Sequence, residues 1–368
     1  MKSRLLALFW AGILAVSLPG CTGGEAARGE DPPALPVVLP QEEAPAQPPE
    51  EPPPAWEWPV GLPQDQGLNP AGLEAFHRAL AEVDVRSALT VRNGLLIDEY
   101  YAEGYGREDL FPFASCTKSV TGALVGIAID LRHLSGVDAT LAEFLPEAAG
   151  TDKGEITVRD LLGHVSGIRW REWGVGTMFR EFQSQDDWAG FILDQPMEAD
   201  PGAFFNYTSG GSHLLSVILQ RTTGQTAEEF ALQHLFGPLG ITEFSWRQSP
   251  QGESDGGSGL QLTARDAAKF GQLFLNGGAW EGEQIIPAWW VEASTAYQFP
   301  GSPGTGAYGY QWWLTSFGGH DLYYAMGHGG QYIFVVPGLD LVTVMTARTP
   351  STYTPQHIFR DYLIPAFE

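Results

Sequence analysis

The dipeptide Asn93-Gly94 lies between two runs rich in β-branched, aliphatic and aromatic residues, ALTVR and LLIDEYY, and constrains the fold more than any other stretch. Asn-Gly supplies both positive-φ positions of a tight turn, so the runs on either side read as antiparallel neighbours. Just ahead, in NPAGLEAFHRAL, Asn69 can cap a helix that has Pro70 at its first position. The far end of the chain has the same character. YGYQWWLTS and DLYYAMG read as strands, QYIFVVPGLDLVTVMTA as a hairpin turning at Pro337-Gly338, and a helix opens at Thr354-Pro355. Between Ser115 and about Pro300 the apolar spacing is mainly helical, broken by Gly and Pro, and no internal repeat is evident. The expected fold is α/β in the broad, α+β sense. An antiparallel sheet is assembled from both ends of the domain and flanked by helices, with a large helical insertion beside it. A cleft between sheet and insertion is the expected site.

The first sixty residues read differently. Lys2 and Arg4 precede an apolar run from Leu5 to Leu18, the length of a signal peptide and short for a membrane span. The run ends in LPGC, which resembles a bacterial lipoprotein cleavage site, so residues 1–21 are expected to be a leader ending at a lipidated Cys21. Residues 22–59 hold eleven of the 27 prolines with Glu and Ala and little apolar periodicity, and read as a disordered tether. The domain is then expected over 60–368, in an exported, lipid-anchored protein of the cell envelope, outer membrane or periplasm-facing. A net charge of −24 argues against nucleic acid as a partner. With Cys21 lipidated, Cys116 has no disulfide partner and reads as a small buried hydrophobe.

Only four lysines occur, and one of them, Lys118, stands three positions after Ser115 in FPFASCTKSVTGALVG. The apolar residues that follow repeat at helical spacing, which brings the two side chains within reach of each other. A serine hydroxyl is a weak nucleophile until a neighbour takes its proton, and lysine can do so only when neutral. An ordinary lysine is neutral to about 0.04% at pH 7. Burial against Phe111, Phe113 and Val120 and a place in the first turn of a helix both disfavour the ammonium.

Two further stretches complete a pattern: Tyr207-Thr208-Ser209 on a loop entering a helix, and His328-Gly329-Gly330 just before a strand. In this order the three motifs resemble those of the β-lactamase-related serine hydrolases. That family includes class C β-lactamases, D-alanyl-D-alanine peptidases, esterases and 6-aminohexanoate-dimer hydrolases. ITVRDLLGHVSGI and LTARDAAKFGQLFLNGG support the likeness, which runs from about residue 60 onward. The resemblance implies a β-lactamase/transpeptidase-like fold and an acyl-enzyme on Ser115. Lys118 would be its base and Tyr207 the group that passes a proton to the leaving atom. It also implies an oxyanion hole from the backbone amides of Ser115 and Gln331, with His328, Gly330 and Ser209 near the substrate. Ser209 stands where asparagine is common and Gly329 where threonine is common, which weakens the expected hold on β-lactams.

Among the remaining candidates, His164 reads as a structural histidine. Trp170, Trp173, Trp312 and Trp313 read mostly as packing residues, with one expected in the site. Arg169 and Arg171 are possible substitutes for a missing anion anchor. No His-Glu-x-x-His pattern and no glycine-rich phosphate loop implies a metal or cofactor. The expected activity is hydrolysis of small esters or amides. A D-alanyl-D-alanine peptidase or β-lactamase is the alternative, and a non-catalytic envelope-binding protein a further one.

Overall fold

The computed structural model describes residues 56–367; the leader, Cys21 and most of the tether lie outside them. Helix α1 (Pro70–Ala81) is capped as expected, with the Asn69 side chain accepting from the Ala71 and Gly72 amides. Strands β1 (Val85–Arg92) and β2 (Leu95–Tyr101) pair through a turn in which Asn93 and Gly94 have φ of 50° and 73°. The insertion follows, carried mainly by α2 (Thr117–Asp130), α3 (Ser209–Thr223) and α4 (Ala264–Leu275). The remaining strands of the large sheet are β3 (Phe299–Ser302), β4 (Gly306–Tyr308), β5 (Trp313–Phe317), β6 (His320–Gly327), β7 (Gln331–Val336) and β8 (Leu341–Ala347), followed by α5 (Thr354–Ile358). They form one antiparallel sheet in the order β2-β1-β8-β7-β6-β5-β4-β3. The two ends of the domain thus meet where β1 pairs with β8.

Why β7 and β8 read as nearly continuous apolar runs follows from this placement. Side chains alternate across a strand, and here both faces are covered. Tyr332, Phe334 and Met345 pack with Phe76, Leu80, Phe359 and Leu363 of the terminal helices. Ile333, Val335, Val342 and Val344 pack on the insertion, with Phe270 and Leu273 of α4. Each such side chain contributes about 1.5 to 3 kcal/mol on burial. Helix α2 runs through the interior, with every residue from Thr117 to Ala128 buried. Its close approach to a neighbour needs glycine at 126, where a Cβ would lie 2.2 Å from the Trp290 ring.

Three readings are corrected. YGYQWWLTS is not one strand but the hairpin of β4 and β5, paired Trp313 to Tyr308, with Gln311 at φ 64° in the turn. The Pro337-Gly338 turn is a longer 3₁₀ turn closed by Asp340 at φ 47°. Trp58, assigned by composition to the tether, is buried, and its indole N–H donates to the Arg265 carbonyl, while Trp56 packs on Trp280. The domain therefore begins at least four residues earlier than residue 60. Its large aromatic rings outweigh the surrounding proline-rich composition.

Candidate active site

Ser115 sits in a 3₁₀ turn, Ala114–Cys116, that leads directly into α2. Ala114 has φ of 46°, a left-handed conformation that costs a non-glycine residue energy and reverses the chain immediately before the serine. The turn is tied by Thr117, whose hydroxyl donates to the Ala114 carbonyl at 2.6 Å and accepts from the Leu260 amide at 3.2 Å. In the first turn of the helix, Lys118 is 1% exposed. Its Nζ donates to the Gly257 carbonyl at 2.6 Å, the Ser209 hydroxyl at 2.9 Å and the Ser115 hydroxyl at 3.2 Å.

Desolvation lowers the Lys118 ammonium to about 8, against the opposing pull of Glu172, Asp255 and Cys116. At pH 7 about one molecule in ten then carries the neutral amine, some 200-fold more than for an ordinary lysine. The acceptors around it come from three elements: Ser209 heads α3, Gly257 lies in the loop before α4, and Ser115 leads α2. Gly257 can approach this closely because a Cβ there would fall 2.8 Å from the Ser209 carbonyl. Asp255, fully buried and pushed up by burial, is held by an ion pair with Arg247 and accepts from the Gly257 and Ser258 amides.

Tyr207 completes the group. Its ring lies 4.9 Å from the Lys118 ammonium, burial raises its hydroxyl well above the ordinary phenol range, and a hydrogen bond with Ser115 opposes that rise. The ring is positioned from behind by His164, whose centroid is 4.4 Å away. His164 Nδ1 accepts from the Thr208 amide, which leaves Nε2 as the protonated nitrogen facing the Tyr308 hydroxyl at 3.1 Å. Burial and the Lys118 charge hold the imidazole well below its usual range, so it is neutral.

Ser115 and Tyr207 open onto a cavity of about 370 Å³. Trp173 lines it from the insertion, Trp313, Met326 and Ser302 from the sheet, His328 from the turn after β6, and Thr305, Thr352 and Tyr353 from loops. Among the described residues, no lysine, arginine or carboxylate belongs to this lining. A hydroxyl in contact with a partly neutral amine and a phenol, facing a largely apolar cavity, is equipped for attack on a carbonyl carbon.

The sequence model of the family described as Beta-lactamase matches residues 78–362. The chain belongs to the β-lactamase family. Among curated relatives it is 27% identical over 309 residues to a 6-aminohexanoate-dimer hydrolase of Paenarthrobacter ureafaciens, covering 77% of this chain and 77% of the relative. It is 26% identical over 307 residues to penicillin-binding protein 4 of Amycolatopsis lactamdurans, covering 70% and 77%. Among solved structures it matches the octameric penicillin-binding protein homologue from Pyrococcus abyssi with a TM-score of 0.64 at 20% identity, over 78% of this chain and 75% of that one. The α+β architecture with its antiparallel sheet is the one these structures share, and the chain has a serine hydrolase fold.

Within this member of the β-lactamase family, three expected substrate contacts lie elsewhere. Gln331 is 4% exposed and starts β7, the strand next to β6 in the sheet. Its side chain is bonded to Ala347 and His328, and its carbonyl accepts from the Cys116 thiol at 3.5 Å. Gly330, at φ 99°, shapes the β6–β7 turn under Pro355, where a Cβ would come within 2.6 Å of the ring. Ser209 is fully buried behind Lys118 and cradles it. His328 does reach the cavity, exposed at its rim, with its ring 6.2 Å from that of Trp173.

The edge of β6 is better placed than Gln331 for an oxyanion. The Gly327 carbonyl faces the β7 side, accepting from the Gly330 amide, so strand alternation turns the backbone of Met326 the other way. On that side the pairing with β5 has ended at Tyr324, and Met326 lines the cavity beside Ser115. Of the four tryptophans, Trp173 and Trp313 line the cavity, while Trp170 and Trp312 are core residues. Arg169 and Arg171 are exposed and outside the lining. Cys116 is buried, and its thiol is pushed well up by desolvation. Sequence reasoning missed Glu172, buried at 7% exposure against Ser209, because a lone acid in a Trp-rich loop carries no motif.

Proposed function

We propose that the protein hydrolyses small, uncharged esters or amides through an acyl-Ser115 intermediate. Lys118 takes the serine proton, Tyr207 delivers a proton to the leaving atom, and the backbone edge at Met326 receives the developing oxyanion. The observation that carries this reading is the Ser115–Lys118–Tyr207 contact set at the mouth of a cavity whose lining holds no fixed cation. A peptidase or β-lactamase substrate brings a carboxylate that needs an anchor, and among the described residues the lining offers it hydroxyl and indole donors and, at the rim, the basic side chain of His328. The net charge of −24 repels such anions at long range.

Lacking one charge-assisted hydrogen bond costs about 1.5 to 3 kcal/mol, or about ten- to a hundredfold. On one preparation, kcat/KM for p-nitrophenyl butyrate should therefore exceed that for a penicillin by at least about tenfold. A higher value for the penicillin would overturn the ester or amide reading.

The proposal includes export and attachment through Cys21, motivated by the LPGC boundary and the proline-rich stretch after it. Stable anchoring takes two or more acyl chains, since one gives only reversible binding. Intact-mass analysis of the membrane fraction should find a mature chain starting at a multiply acylated Cys21. Recovery as a soluble protein with an unmodified Cys21 would refute it.

A further inference from the structure

We propose that Glu172 is a positioning residue that fixes the direction of the hydrogen bonds around Lys118, so that the lysine's lone pair is offered to Ser115 and to nothing else. The inference rests on the reading of Lys118 as the base for Ser115. Glu172 makes three contacts: Oε2 accepts from the Ser209 amide at 2.9 Å and from the Trp170 indole N–H, and Oε1 accepts the Ser209 hydroxyl proton. A carboxylate can only accept, so the Ser209 hydrogen is committed to it. The Ser209 oxygen is then left solely as an acceptor, and the donor facing it is Lys118 Nζ at 2.9 Å. The Gly257 carbonyl, also acceptor-only, takes a second N–H at 2.6 Å. A neutral amine has two hydrogens and one lone pair. With both hydrogens claimed, the lone pair lies toward Ser115, 3.2 Å away. On attack the serine O–H bond breaks, a third N–H bond forms on Lys118, and the serine oxygen bonds the substrate carbonyl carbon while the carbonyl electron pair moves onto its oxygen. The resulting ammonium finds its other two hydrogens already bonded.

Glu172→Gln tests the direction because it reverses it. Two N–H groups, from Ser209 and Trp170, converge on the Oε2 position, so the amide oxygen must stay there and the amide nitrogen must occupy the Oε1 position. That nitrogen donates to the Ser209 oxygen and drives the Ser209 hydrogen toward Lys118, where it competes with Ser115 for the lone pair. Expected is a fall of about ten- to a hundredfold both in kcat for p-nitrophenyl butyrate and in the rate of fluorophosphonate labelling of Ser115, with KM changed by less than about twofold. The double variant Glu172→Gln/Ser209→Ala, which has no misdirected hydroxyl, should recover at least about fivefold over the single one.

A purely structural Glu172 would give a double variant no better than the single one, and that outcome overturns the proposal, as does a single variant at the wild-type rate. Should Glu172→Gln not fold, Ser209→Ala alone decides. A loss of about twofold or more in kcat at constant KM supports the proposal, and an unchanged rate overturns it. Wild-type protein that takes no label at all would instead strike the proposed acyl-serine chemistry, so the two failures are distinct.

Discussion

A fluorophosphonate should add one phosphonyl group to the wild-type protein and none to Ser115→Ala, while ester hydrolysis by the variant falls by about 10⁴-fold or more. The reagent reports an activated oxygen nucleophile, and Ser115 Oγ is the hydroxyl that both contacts Lys118 Nζ and faces the cavity. Two neighbours could confuse the result, and the structure distinguishes them. The Cys116 thiol is buried, pushed well up by desolvation and bonded to the Gln331 carbonyl, so it stays protonated and points away from the cavity. Ser209 is fully buried, with its proton committed to Glu172. The fold should be indifferent to the change, because Ser115 is only partly buried and the turn around it is tied by Thr117. Its unfolding free energy should stay within the range of an ordinary surface substitution, about 0.5 kcal/mol. A label that persists in Ser115→Ala would place the nucleophile elsewhere and remove the mechanism.

The parts of this arrangement written in local chemistry could be read from the chain. Asn93-Gly94 fixed one hairpin through its need for positive φ, and Asn69-Pro70 fixed one helix start. Ser115 and Lys118 were visible because three residues along a helix entry bring two side chains together whatever surrounds them. The misreadings share another cause. YGYQWWLTS has strand-forming residues throughout, and only the packing of Gln311 against the Leu162 carbonyl and Ser212 makes its centre a turn. Gln331 followed the glycine pair in sequence, but which strand edge borders Ser115 depends on sheet order, which pairs residues more than two hundred positions apart. Glu172 was invisible for the same reason: its role is defined by Ser209, 37 residues on, and by a lysine 54 residues back.

Lys118→Met should lower kcat/KM for p-nitrophenyl butyrate by about 10² to 10⁴-fold, the usual contribution of a general base, and should abolish a pH dependence that the wild type shows. The base must be neutral, and its conjugate acid is lowered to about 8, so wild-type kcat/KM should rise with unit slope as pH increases toward about 8 and level off above it. The variant has no group to deprotonate there and should be flat over the same range. The same shift carries a stability consequence whose sign can be worked out. The folded state holds Lys118 at about 8, below its ordinary 10.5, so between those values the unfolded chain binds more protons. The lysine's contribution is thus most unfavourable below about pH 8 and improves as pH rises toward 10.5, by about 3 kcal/mol in total at 1.36 kcal/mol per unit. Methionine at the same position does not titrate. Both proteins share every other group, so the difference between their unfolding free energies isolates Lys118. Wild type should gain on Lys118→Met across that window, whichever is the more stable at neutral pH. Denaturant unfolding of the pair at pH 7 and at pH 10 measures it. A constant difference would mean that Lys118 keeps its ordinary pKa, and with it the proton that the proposed chemistry requires it to lose.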